Sequence, residues 1–177
     1  MTDPTLSQAI KEAYASAPTN SVILHTLEFR HPSFTTPLRV VNDHADLSAC
    51  LESDAPVNAG QYVTFSRYAF SFSMPEVGVS GLPEITVSID LVSRDILGYL
   101  DSAAQSSENI QLTYRPYLSN DLSAPQMTPP ITLTVIGVEC DVFQARCKAS
   151  YGDFVNRRWP FQVYDTDRFP GLVGQST

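Results

Sequence analysis

The sequence has little charge and few cysteines. Charged residues make up 17% of its 177 residues, below the quarter that is usual for a soluble domain. We expect part of so sparsely charged a surface to be covered by a partner. The three cysteines, Cys50, Cys140 and Cys147, are odd in number and form no Cys-x-x-Cys motif. This excludes the disulfide framework of a small secreted domain, and we expect free thiols.

Long apolar runs and a secretion signal are also missing. No apolar stretch approaches the roughly 18 residues of a membrane helix. The first residues are polar and lack the basic head and apolar run of a signal peptide. The sequence therefore predicts synthesis and folding in a reducing cytoplasm, without stable membrane insertion.

Motifs for catalysis and metal binding are absent as well. The sequence contains no Gly-x-Ser-x-Gly, no His-Glu-x-x-His and no P-loop. Nothing singles out a catalytic pair among its 19 acidic residues. His44 and Cys50 lack a recognised ligand spacing, and His25 and His31 fit a strand and a turn. We expect no enzyme activity, no cofactor and no metal. Cys140 and Cys147 lie on either side of a predicted hairpin turn, where we expect two free thiols, and a metal cluster or a disulfide stays open as the alternative.

What the sequence does contain is an excess of acidic residues before position 141; we call residues 1–140 the acidic body. The net charge is −8, and residues 141–177 carry five basic and four acidic residues, so residues 1–140 carry −9. An acidic surface argues against gripping nucleic acid, which requires basic side chains. It agrees with a wall that repels a polyanion moving past it.

Periodicity predicts two helices among many strands. Residues 4–16 have apolar positions at helical spacing, as do residues 91–106. Alternation or β-branched and aromatic content predicts strands at 21–31, 38–42, 47–52, 61–74, 84–90, 109–118, 131–140 and 142–152.

Strands follow strands with few helical crossovers, which favours a mainly β fold, an antiparallel β-sandwich or barrel. One internal helix flanks it and a short helix precedes it. We expect an N-terminal helical segment at 1–20, a single β domain at 21–172 and a flexible C-terminus at 173–177.

The segment 61–74 is the clearest strand. Its alternation predicts one shared face for Tyr62, Thr64, Ser66, Tyr68, Phe70 and Phe72. We expect the aromatic residues of this face to form core rather than a ligand platform. The loops 75–83 and 119–130 are long for hairpins, and we expect them to pack against neighbouring copies of the chain.

Several segments, in order across residues 27–172, carry a resemblance. They are Leu-Glu-Phe-Arg-His-Pro at 27–32, Arg-Val-Val-Asn at 39–42, Phe-Ser-Phe-Ser-Met-Pro-Glu at 70–76, Val-Ser-Ile-Asp-Leu-Val-Ser-Arg at 87–94, Thr-Tyr-Arg-Pro-Tyr-Leu at 113–118, Tyr-Gly-Asp-Phe-Val-Asn-Arg-Arg-Trp-Pro at 151–160 and Phe-Pro-Gly-Leu at 169–172. Together they resemble a family of siphophage and prophage minor tail proteins, encoded near tape-measure, hub and tail-peptidase genes. Leu91 stands where that family usually has Asn.

The resemblance implies a structural minor tail protein at the distal tail tip of the virion, made in the host bacterial cytoplasm. By analogy with distal tail proteins, it implies a six-fold ring of tail-tube-like β-sandwiches. The ring would join the tail tube protein to the hub and let the tape measure protein and DNA pass. The alternatives are a receptor- or carbohydrate-binding module of the tail tip, and a tail assembly chaperone.

Candidate interface residues fall in three places. Arg94 begins the internal helix, where a local ion pair with Asp90 or Asp95 is the alternative to a subunit contact. Arg115 and Tyr117 fit a sheet-end contact or an arginine stacked on tyrosine. The last group combines the donors and the aromatic ring that interfaces favour, although a core tryptophan is its alternative. Its members are Asn156, Arg157, Arg158 and Trp159.

Overall fold

The computed structural model describes residues 6–16, 21–73, 84–90, 95–106, 108–141 and 144–151. These ranges hold two helices, α1 (Gln8–Ser16) and α2 (Asp95–Ala104). They also hold nine strands: β1 (Ile23–Arg30), β2 (Leu38–Val41), β3 (Leu47–Cys50), β4 (Tyr62–Arg67), β5 (Phe70–Ser73), β6 (Glu84–Asp90), β7 (Gln111–Leu118), β8 (Ile131–Cys140) and β9 (Gln144–Ser150). Neither helix has the length and apolar content that a membrane crossing demands.

All nine strands belong to one mixed sheet in the order β3-β4-β2-β1-β7-β8-β9-β6-β5. Every pair is antiparallel except β2 and β4. The prediction of a mainly β fold with one internal and one N-terminal helix is confirmed. The sheet curls strongly but does not close into a barrel, because β3 and β5 remain as its two end strands.

The predicted strand 61–74 is two strands joined by a bend. The Tyr68 N–H donates to the Val41 carbonyl beside β2, while the Ala69 carbonyl accepts from the Asp90 N–H beside β6, each at 3.0 Å. Residues 62–73 therefore connect the two ends of the curled sheet.

The bend also changes which face points inward. Val63, Phe65 and Phe70 are buried, whereas 65% of Tyr62 is exposed. The prediction of one shared aromatic face was therefore wrong, because alternation holds only while the backbone stays extended.

Two apolar cores pack against the curled sheet, one on each face of β1 and β7. The larger lies inside the curl and under α2, and it includes Leu27, Phe29, Val40, Phe70, Val87, Ile96, Leu112, Leu133 and Ala149. The smaller lies on the opposite face of β1 and β7, under β3 and β4, and includes Leu24, Val41, Leu51, Phe65 and Tyr117. Because both of its faces are covered, β7 is buried at every position after Gln111.

The loop 119–130 binds elements of its own chain. The Ser7 N–H donates to the Gln126 carbonyl at 2.9 Å, and Leu6 forms a β-bridge with Met127. The Leu122 carbonyl accepts from the Cys50 N–H of β3. The loop thus anchors Leu6 and Ser7, which immediately precede α1, and covers part of an end strand. Packing of this loop against a neighbouring copy stays a prediction, and it concerns the part of the loop surface that these contacts leave exposed.

Candidate functional site

A buried network of four charges lies between the central strands and the smaller core. The Arg115 guanidinium donates from Nε and Nη2 to the two carboxylate oxygens of Glu52, both at 2.7 Å. Its Nη1 lies 3.4 Å from Glu28 Oε1, and Glu28 Oε2 accepts from Arg39 Nε at 2.7 Å. Arg39 Nη2 reaches Asn58 Oδ1 at 3.0 Å. The two arginines and the two glutamates carry equal and opposite charge, so the network has no net charge.

Strand register places these side chains together. On one face of β1, Thr26 and Glu28 stand opposite Arg115 and Thr113 of β7, and Glu28 also stands opposite Arg39 of β2. The Thr26 hydroxyl donates to the Arg115 carbonyl at 2.7 Å. Glu52 enters from the segment after β3, so the network ties that segment to the centre of the sheet.

The pKa shifts follow from burial and from these contacts. Burial alone would raise the pKa of the Glu52 carboxyl, but the hydrogen bonds and charge of Arg115 lower it on balance. Burial alone would lower the pKa of the Arg115 guanidinium, but the hydrogen bonds to Glu52 and the charges of Glu28 and Glu52 raise it on balance. Burial raises the pKa of the Tyr117 hydroxyl, which donates to the Cys50 carbonyl at 2.8 Å. Each charged group therefore meets an opposite charge, which is the arrangement of a structural network.

From the sequence, Arg115 and Tyr117 are expected either at a sheet-end contact or as an arginine stacked on a tyrosine. The structure instead buries both, with 1% and 0% exposure, because β7 is the central strand and a second layer covers its face. Arg115 pairs with carboxylates rather than stacking on a tyrosine. Sequence reasoning missed Glu28, Arg39 and Glu52. The available signal was the opposite charge of Glu28 and Arg39 in two short strands that follow each other.

The other predicted interface residues lie outside the described residues. They are Arg94, Asn156, Arg157, Arg158 and Trp159, and the loop 75–83 lies outside as well. Their proposed contacts stay predictions.

The histidines lie apart from one another. His31 is buried between the Ser33 hydroxyl, 2.7 Å from Nδ1, and the Glu108 carbonyl, 3.0 Å from Nε2. His25 Nδ1 lies 2.8 Å from the Tyr114 hydroxyl oxygen, and burial lowers the His25 pKa. In the described ranges no three His, Cys, Asp or Glu side chains are close enough to hold a metal ion.

The three cysteines, all of which are described, carry free thiols. Cys147 faces the larger core, where burial raises its pKa to about 12. Cys140 is exposed at the end of β8. Burial raises its pKa, and the charge of Asp101 adds to the effect.

A groove with an apolar floor runs between α2 and β8, and we call it the α2–β8 groove. It encloses about 370 Å³, and its floor is formed by Leu100, Ile110, Val135, Ile136 and Val138. The exposed fractions of Ile136 and Val138 are 47% and 38%. A register shift in the β8–β9 pairing between Val135 and Gly137 exposes this part of the strand. The exposed carboxylates of Asp101 and Glu108 flank the floor.

A second feature is the opening of the sheet beside β5. Here the turn after β2 and the bend before β5 line a shallow concavity, formed by Asp43, His44, Asp46, Ser66, Arg67, Tyr68 and Ala69. Among the described strands, β5 pairs with β6 alone and no strand covers its outer edge. The exposed side chains of β5 are Ser71 and Ser73.

Comparison with known families adds one match. Residues 9–164 match a family model whose description is "Domain of unknown function (DUF1833)". The match runs from α1 through every described strand. No curated protein matches the chain.

Proposed function

We propose a structural role in the tail of a long-tailed bacteriophage for this chain, which belongs to the family described as a domain of unknown function (DUF1833). The proposed role is that of a minor tail protein, without enzyme activity, in the tail tip of the virion. Copies of the chain form a ring there, which joins the tail tube protein to the hub and leaves a passage for the tape measure protein and DNA.

The main supporting observation is the outer edge of β5, which no described strand covers. An uncovered strand edge presents backbone N–H and C=O groups that pair readily with another chain. In a cyclic ring each copy offers one patch and receives a different one. An edge strand and a separate concavity meet this requirement, because they are distinct surfaces of the chain.

The buried network supports the same role. Three of the segments that resemble minor tail proteins, at 27–32, 39–42 and 113–118, lie largely on β1, β2 and β7, and they supply Glu28, Arg39 and Arg115. What the resemblance shares here is therefore the buried centre of the sheet. A buried, charge-balanced centre suits a subunit that must hold its shape within a ring.

The acidic body fits the proposed passage. Residues 1–140 carry −9, and a negative wall repels the phosphates of DNA rather than holding them. DNA is accordingly proposed only as a molecule in transit.

The test is to look for the chain in purified particles of the phage or prophage that encodes it. Mass spectrometry of purified tails and imaging of the tail tip should find the chain as a ring between tube and hub. A chain that is abundant in lysates but absent from finished particles would overturn the proposal in favour of an assembly chaperone. A monomer that binds glycans and forms no ring would overturn it in favour of a receptor-binding module.

A further inference from the structure

The α2–β8 groove exposes apolar side chains between two acidic groups. Asp101 lies near Cys140 at one end, since its charge acts on the Cys140 thiol. Glu108 lies at the other end, two residues before Ile110, whose carbonyl accepts from the Val135 N–H at 2.9 Å. The complementary ligand is an aromatic or aliphatic side chain with basic neighbours.

The chain itself contains such a segment. Residues 154–161 read Phe-Val-Asn-Arg-Arg-Trp-Pro-Phe, with two basic residues, no acidic residue and three aromatic rings. We propose that the α2–β8 groove binds this segment of its own chain, with Trp159 on the apolar floor and Arg157 and Arg158 facing Asp101 and Glu108. This inference does not depend on the proposed role in a tail.

The position of β9 brings the groove within reach of the segment. Ala149 and Ser150, the last residues of β9, stand opposite Val135 and Thr134, and Val135 lines the groove. Trp159 follows Tyr151 by eight residues, which span up to roughly 26 Å when extended. The five steps from Val135 to Cys140 cover only about 17 Å of strand, so the segment can reach the whole floor.

Attachment also favours binding within one chain over binding between copies. Attachment through a short linker gives an effective concentration of about 1 mM. An intrinsic dissociation constant of about 0.1 mM would then leave roughly one chain in ten with an empty groove. A moderate contact with one tryptophan and two ion pairs is therefore sufficient.

The first test uses Trp159, the single tryptophan, as a fluorescent reporter. In the full chain its emission should lie to the blue of the emission in denaturant. Ile136→Asp should move it to the red, because an apolar ring on the floor would then have to remove water from a carboxylate. Val22→Asp is the matched control, since Val22 is 61% exposed on a different strand end, and it should leave the emission unchanged. Equal emission in Ile136→Asp and the wild type, with both chains folded by circular dichroism, would overturn the proposal.

The second test uses the Cys140 thiol. An occupied groove should slow its alkylation, so the double variant Arg157→Glu with Arg158→Glu should label Cys140 about tenfold faster than the wild type. Combining it with Asp101→Lys and Glu108→Lys should restore slow labelling. Equal labelling rates in the wild type and the double variant would contradict the proposal.

A crosslink separates the two possible sources of the segment. Trp159→Cys should form a disulfide with Cys140 under mild oxidation of dilute protein. The product should run as a monomer on a denaturing gel without reductant. A crosslinked dimer would assign the groove to a second copy and overturn binding within one chain.

Discussion

Arg115 and Glu52 form a two-bond ion pair, with both nitrogen–oxygen distances at 2.7 Å, although 63 positions separate them in the chain. The pair connects the central strand β7 to the segment that follows β3. Glu28 stands on the other side of Arg115 and itself binds Arg39, so the Arg115 guanidinium lies between two carboxylates inside the fold. A change at Arg115 should therefore act on the whole layer of β3 and β4.

Arg115→Met should strongly destabilise the fold. It removes the charge between two carboxylates that are themselves 1% and 12% exposed, and breaking a buried pair costs about 3–5 kcal/mol. Urea unfolding followed by circular dichroism measures the loss. Arg146→Met, at an exposed position of β9, is the matched control and should change stability by less than about 0.5 kcal/mol. Equal effects of the two changes would show that the network contributes nothing particular.

Glu52→Gln should destabilise the chain in a pH-dependent way. The pKa of Glu52 is lower in the folded chain than its ordinary value of 4.5, so the unfolded chain takes up the proton first as pH falls. The stabilisation by the carboxylate is complete above 4.5 and disappears as pH falls through the folded-state pKa. The difference between wild type and variant in urea midpoint should shrink over that interval. Glu139→Gln, at an exposed site, should match the wild type, and a difference for Glu52→Gln that does not change with pH would refute the linkage.

His25 should make the fold sensitive to mild acid. Burial lowers its pKa from 6.5, so the neutral ring is stabilised in the folded chain and this stabilisation is lost as pH falls below 6.5. His25→Phe removes the titrating group and retains a ring beside Phe72 and Tyr114. Its melting temperature should decline less than that of the wild type between about pH 7 and 5. His44→Phe, at an exposed site, should decline as the wild type does, and an equal decline in His25→Phe would rule His25 out.

Cys147 should resist alkylation until the chain unfolds. Burial raises its pKa to about 12, and both the small thiolate fraction and the surrounding core oppose reaction. Mass spectrometry of peptides after alkylation should show Cys140 modified before Cys147 in the native chain, and both modified in denaturant. Native labelling of the two thiols at one rate would mean that β9 opens readily.

Ser71→Lys should weaken assembly without unfolding the chain. A lysine on the edge strand β5 opposes pairing with another copy, as charged residues do on the edges of natural sheets. Native mass spectrometry should show a smaller ring population than in the wild type. Thr64→Lys is the matched control, because Thr64 is exposed on β4, which lies inside the sheet between β3 and β2. If both variants assemble as the wild type does, the β5 edge is not the contact between copies.

Local pattern predicted most of the elements. The alternation of β1 and the helical spacing of α1 are visible in short windows, so their existence and approximate bounds followed from the sequence. The bend at Tyr68 and Ala69 did not, because it depends on two hydrogen bonds, one to β2 and one to β6, which lie far apart in the sheet. For the same reason the inward face changed between Phe65 and Phe70, and Tyr62 proved to be exposed.

The buried charges show the same division. The sequence by itself determined a mainly β chain and an excess of acidic residues before position 141, since these depend on composition and on residues close in the chain. Only the tertiary structure decided that Arg115 is a core residue bound to Glu52, and that β8 leaves Ile136 beside α2. Such outcomes depend on strand register and on the curl of the sheet, which arise from pairings between distant residues that no local window contains.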